Sequence, residues 1–224
     1  MANQAYLSIW VKNFSADTML EQFGNFLGTV PFSAKQPGFT HLEIRAVDST
    51  ETPVFEQDLR AFPLDAAGVI ELAKDYLHDD CSCAAGSRWD LWVYEGEPPS
   101  WQQSAQALEL LCHGEAYDDG FWKENGHFEV NFGFEHLFTG HGGLLGFRQV
   151  ARPAPQSQEE RDFLESMSKP ANLLEYQEKT RENIKSLFAW VRRIEAALPV
   201  AQLRLWSEGE ENFEARLEEI LATR

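Results

Sequence analysis

Apolar and polar residues alternate through Tyr6-Leu7-Ser8-Ile9-Trp10-Val11, the period-two pattern of a strand with one buried face. Ser15 then stands as an N-cap before a stretch whose Leu20, Phe23 and Leu27 fall on one helical face. The strand pattern recurs at Trp89-Asp90-Leu91-Trp92-Val93-Tyr94, after which Pro98-Pro99-Ser100 is expected to open a helix bearing Leu108 and Leu111. A third copy is Leu203-Arg204-Leu205-Trp206. Ser207 and Glu210 follow it in capping-box spacing, before a helix with Phe213, Leu217, Ile220 and Leu221. Between these units, His41-Leu42-Glu43-Ile44 is similar to His127-Phe128-Glu129-Val130, each entered through a glycine, Gly38 or Gly126. Further strands are expected over residues 54–62 and 144–150, and Asp65 is expected to cap a helix to about Leu77.

These patterns give an α+β fold class: internally duplicated βαββα units with a closing βα unit, mixed or antiparallel sheet(s), and helices packed on a face. The expected organisation is a single α+β domain over residues 1–224. Repeat 1 covers about 1–80 and repeat 2 about 86–150, followed by a helical segment over 157–198 and a closing strand–helix over 201–222. In the helical segment Ser157 and Glu160 cap a first helix, and Lys169-Pro170 ends it and starts a long one to about Leu198. A strand cannot stand alone, so the closing strand is expected to pair with the earlier sheet. Trp10, Trp92 and Trp206 are expected at corresponding places on similar strand–helix units.

Composition narrows the function classes. With 43% apolar and 12% aromatic residues in 224, the chain can bury a sizeable core and is not a disordered acidic tail. No apolar run approaches the roughly 18 residues that cross a bilayer, and the amino terminus has no secretory-signal pattern. Three cysteines, Cys81, Cys83 and Cys112, are an odd number in a chain that needs no staples, so a reducing, cytoplasmic location is expected. A net charge of −17 repels phosphate backbones and anionic lipid, which argues against direct nucleic-acid binding and against a membrane partner. The field comes from residues 1–150, which hold 22 carboxylates against 8 Lys and Arg; residues 151–224 are nearly balanced at 14 against 11.

Two sets of residues could carry function. Glu95, Glu97, Glu115, Asp118 and Asp119 lie in acidic loops among Trp101, Phe121 and Trp122, a mixture of charge and aromatic anchors suited to binding a protein. His127, Glu129, His136 and His141 are the residues that would hold a metal, although their spacing matches no metal motif. GxSxG, HExxH, P-loop and GxGxxG patterns are all lacking. The reading these observations favour is a non-catalytic cytoplasmic acidic protein that binds a basic protein partner, for which an immunity protein neutralising a bacterial toxin is one form. A metal-dependent enzyme centred on His127 and an acidic DNA-mimic inhibitor are the alternatives. No cofactor and no metal are expected, and His127–Glu129 and His41–Glu43 are expected to make structural contacts.

Overall fold

The computed structural model describes residues 3–141, 144–145 and 157–222. Its frame is a long hairpin, β4 (Cys81–Glu95) and β5 (Ser100–His113), paired in unbroken register from Ser82↔His113 to Glu95↔Ser100. Five more strands join it: β1 (Gln4–Val11), β2 (His41–Ala46), β3 (Phe55–Asp58), β6 (Phe128–Phe134) and β7 (Val200–Ser207). The order is β3-β2-β4-β5-β6-β1-β7, and every neighbouring pair is antiparallel. The closing strand does pair with the earlier sheet, on β1, with Leu7 opposite Leu205.

Period-two alternation assigns the two faces. Leu7, Ile9, Leu42, Ile44, Cys83, Ala85, Leu110, Cys112, Phe128 and Val130 are buried on the inner face. Helix α1 (Ala16–Leu27) covers it with Phe23 and Phe26, whose rings lie 6.3 and 4.9 Å from Phe128. The single turn α4 (His136–Thr139) contributes Phe138, and α6 (Pro170–Ala197) contributes Trp190, both within 6 Å of the Trp89 ring. α7 (Phe213–Ala222) brings Phe213 to Phe132. Fully burying an aromatic or large aliphatic side chain contributes about 1.5–3 kcal/mol, so this layer is the main source of stability. The remaining helices are α2 (Ala66–Ala73), α3 (Trp122–Asn125) and α5 (Gln158–Met167). The Asp65 side chain caps α2 by accepting from the Gly68 N–H, and the Ser157 side chain caps α5 by accepting from Glu160.

The structure departs from the sequence expectation at several elements. Residues after Pro98-Pro99-Ser100 form strand β5 and not a helix, so the unit containing Trp92 is strand–strand where those of Trp10 and Trp206 are strand–helix. The three tryptophans are not equivalent: β1 and β7 run antiparallel to each other, and Trp206 opposes Tyr6 while Trp10 opposes Gln202. The internal duplication is not confirmed. The strand expected over 54–62 is only Phe55–Asp58, and α2 ends at Ala73 instead of near Leu77. Of the strand expected over 144–150, Leu144 and Leu145 are in no strand and the rest lies outside the described residues.

Past the end of β2, the Ser33 N–H donates to the Arg88 carbonyl, and at Trp92 the edge of β4 is completed by one side chain. Asn183 of α6 accepts from the Trp92 N–H at 2.8 Å and donates to the Trp92 carbonyl at 3.0 Å and the Leu137 carbonyl at 3.0 Å. A buried carboxamide here substitutes for the missing neighbouring strand.

Candidate functional site

The outer face of the sheet is the polar one, and its side chains form cross-strand rows. Arg45, Ser82 and His113 lie side by side. The next row runs Glu56, Glu43, Ala84, Leu111, Glu129, Ser8, Arg204. The row after it runs Asp58, His41, Gly86, Glu109, Asn131, Tyr6, Trp206. Ala84, Gly86 and Ala107 put short side chains in the middle strands, so the centre is a trough with Glu43, Glu109 and Glu129 along it. Two hollows lie in it. One of about 210 Å³ is bordered by Glu43, Arg45, Ser82, His113 and Glu129, and one of about 560 Å³ by Gly86, Arg88, Glu109 and Asn131.

The acids of the trough are unequally answered by cations. Burial pushes the Glu129 carboxyl up to about 7; Glu109 adds to the rise and Arg204 opposes it. The Glu109 carboxyl is also raised, by burial and by Glu43, with His41 opposing. Glu109 keeps more than a third of its surface in water, and its shift is the smaller. Glu43 is already answered by Arg45 at 2.5 Å. Arg204 sits beside the rings of Trp10 and Trp206 at 5.5 Å, and Tyr6 stacks on Trp206 at 4.4 Å, so aromatic and cationic groups form the β7 side of the trough.

Two neutral histidines close one end. His113 is 2% exposed; its Nδ1 lies 3.0 Å from Ser82 Oγ, and its Nε2 has no partner among the described residues. His127 accepts the Val11 N–H at Nδ1, so the neutral ring carries its proton on Nε2. That ring is held between Phe14 and Trp122 at 4.3 and 4.4 Å. Burial pushes both imidazoles down to about 4, with His127 adding to the effect at His113. Gly126 places His127: its φ of +94° lies in the left-handed region, and a Cβ there would come within 2.6 Å of the Ile9 nitrogen.

The structure separates the protein-binding set predicted from the sequence. Glu95 and Glu97 are at the tip of the β4–β5 hairpin, while Glu115, Asp118, Asp119, Phe121 and Trp122 follow its other end, about 40 Å away at 3.3 Å per strand residue. They do not form one face. The second group adjoins the trough: Phe121, 36% exposed, packs edge-on against His113 at 4.9 Å and borders the smaller hollow. Trp122 is half-buried against His127 and donates from Nε1 to the Glu115 carbonyl. Asp118 and Asp119 have φ of 47° and 52°, and the Asp118 N–H donates to the Val47 carbonyl, so both shape the turn. Trp101 is half-buried beside Tyr94 and Tyr176, in a separate cleft.

The predicted metal set is likewise not assembled. His127 is occupied by the β1 backbone, and Glu129 faces the trough. His136 and His141 lie near each other on the far side of β6, where His141 Nε2 is 3.1 Å from Glu160. A different trio, His41, Glu43 and Glu56, brings its ligand atoms within 4.8 Å of one another on the outer face of β2–β3. Arg45 holds the Glu43 carboxylate of this trio, and Glu56 is exposed. No family model, curated protein or solved structure matches the chain.

The residues that sequence reasoning missed are Glu43 and Glu109 as trough walls and Tyr6 and Arg204 as its rim. Their signal was the outward parity of each strand; what was lacking was the order that sets β5 beside β6 and β1 beside β7.

Proposed function

We propose that this chain is a non-catalytic binding protein whose outer sheet face takes a basic protein partner. The observation that carries the reading is the Glu129 carboxyl, held near 7 in a trough where Arg45 is already taken by Glu43 and Arg204 does not bring Glu129 back to its ordinary range. A carboxyl in that state gains most from a lysine or arginine that arrives to stabilise its charge. The net charge of −17 favours encounter with such a partner, and Phe121 and the Tyr6–Trp206 stack at the rims supply apolar contact. An immunity role toward a basic toxin is one instance of this reading and is supported by composition alone. The three thiols are free and buried, which supports a reducing compartment, and no helix among the described residues is long and apolar enough to cross a membrane.

Calorimetric titration with an oligolysine peptide, in buffers of different ionisation enthalpy near pH 7, tests the reading. Binding is expected to weaken with salt and to release protons as Glu129 ionises. Glu109→Gln with Glu129→Gln is expected to abolish the release and weaken binding by roughly 10-fold, the scale of about 1.4 kcal/mol. Failure to bind, or binding unchanged in the double variant but lost on Asp118→Lys with Asp119→Lys, overturns the trough as the site.

A further inference from the structure

Beyond Trp89 the β4–β5 hairpin leaves the sheet, and α5 and the first turns of α6 meet the side chains that continue its outer face. Between them lies a cleft of about 570 Å³. Four aromatic rings on its wall form a closed circuit: Tyr94 to Trp101 at 5.4 Å, Trp101 to Tyr176 at 5.5 Å, Tyr176 to Phe163 at 6.0 Å, and Phe163 back to Tyr94 at 5.8 Å. Neighbouring planes are inclined by 51–70°, so the rings stand as walls to one another and do not stack. The rings pack against one another and together line the cleft, within which a cation lies inside the roughly 6 Å over which a ring face attracts it.

We propose that this aromatic box is a binding site for a small organic ammonium ion bearing N-methyl groups. A cleft lined by four aromatic rings favours a cation with a diffuse, weakly hydrated charge, because a compact ammonium keeps too much of its hydration energy to enter a mostly apolar enclosure. Trp92, which also lines the cleft, already carries a cation on its ring: Lys179 Nζ lies 3.5 Å from the ring centre, with Glu182 at 3.7 Å. Trp92 is thereby taken, and the box is completed without it. Glu175 borders the adjoining hollow that shares Tyr94 and Trp101, adding negative potential behind the box. His136 and His141 also line the cleft, and burial, with His141 nearby, pushes the His136 imidazole below its ordinary range. The Tyr176 hydroxyl accepts the His141 N–H at 2.7 Å, fixing the ring at the base of the box.

The experiment compares choline with its neutral isostere 3,3-dimethyl-1-butanol by calorimetry on the full chain, at fixed ionic strength set with sodium chloride. Choline is expected to bind, and the isostere, equal in shape but uncharged, at least ~10-fold more weakly, since only the cation is attracted by the desolvated ring faces. Phe163→Leu, on a partly exposed position of α5, is expected to weaken choline several-fold with an unchanged circular dichroism spectrum. Equal binding of the two compounds would make the cleft merely apolar, and no choline binding at up to ~100 mM, a free energy near 1.4 kcal/mol, would remove the site. Either result overturns the proposal, and the wild-type comparison decides even where a variant fails to fold.

Discussion

Glu129 and the two buried histidines pull the stability of the molecule in opposite directions with pH. The Glu129 carboxyl titrates near 7 when folded against 4.5 for the ordinary group, so the folded state holds its proton more tightly. The stability this gives is complete below pH 4.5 and is lost as pH rises through 7. His113 and His127 are pushed down to about 4 from 6.5; their contribution is complete above 6.5 and is lost as pH falls through 4. Between 4.5 and 6.5 two histidines outweigh one carboxyl, so these three groups together favour a maximum near pH 6.5. Glu129→Gln keeps the shape and removes the ionisation. It is expected to raise stability at pH 8 by on the order of 1–3 kcal/mol and to leave pH 4 nearly unchanged, measured by urea denaturation at both. Part of this was legible beforehand. His127 does make structural contacts, through the Val11 amide, and its parity with Glu129 was readable from the strand pattern. The desolvation of Glu129 was not, because it depends on neighbours from β1, β5 and β7.

At the scale of elements, β5 explains the main departure from the sequence reading. From Ser100 to His113 it contains no β-branched residue, and Gln102, Gln103, Ala105, Gln106 and Ala107 all favour helix. Its apolar residues at Leu108, Leu110, Leu111 and Cys112 fit either period. Pairing with fourteen residues of β4 and burial of Leu108, Leu110 and Cys112 outweigh those local preferences, and neither is visible in the segment alone. Helices with a cap and a clean stripe were legible: Ser157 caps α5 and α6 starts at Pro170, as the capping pattern implied. The Asn183 clamp was invisible, since a polar residue in a helix usually faces water. Asn183→Leu is expected to cost about 2–4 kcal/mol, by stranding one N–H and two carbonyls, and to increase amide exchange at Trp92 above its neighbours. Asn183→Asp retains only the acceptor and is expected to rescue little of it.

For the molecule as a whole, the edges of the sheet differ. β3 is four residues long and carries Glu56 and Asp58, which makes it a poor template for another chain. β7 covers β1, whose Leu7 and Ile9 are fully buried. Ending the chain at residue 200 removes that cover, and the truncated protein is expected to aggregate during size-exclusion chromatography. A monomer with unchanged β signal would contradict this. That the last strand joins the earlier sheet was readable, because an isolated strand needs a partner; that it lies on β1 was not. The strand order was not, because the places of β6, β1 and β7 are set by pairings of β1 with residues more than a hundred positions away.

The position of β1 also has a consequence in time. Its two partners are β6, which begins at residue 128, and β7, which begins at residue 200. At a synthesis rate of roughly 5–20 residues per second, β1 waits about 10–40 s between its own emergence and that of its final neighbour. Until β6 is made its apolar side chains have helix α1 to lean on and no neighbouring strand, and from then until β7 they have a neighbour on one side only. The nascent chain is thus most exposed to mispairing at its beginning, and closure of the sheet around β1 is a late event of folding, slowed by the long loops it must gather.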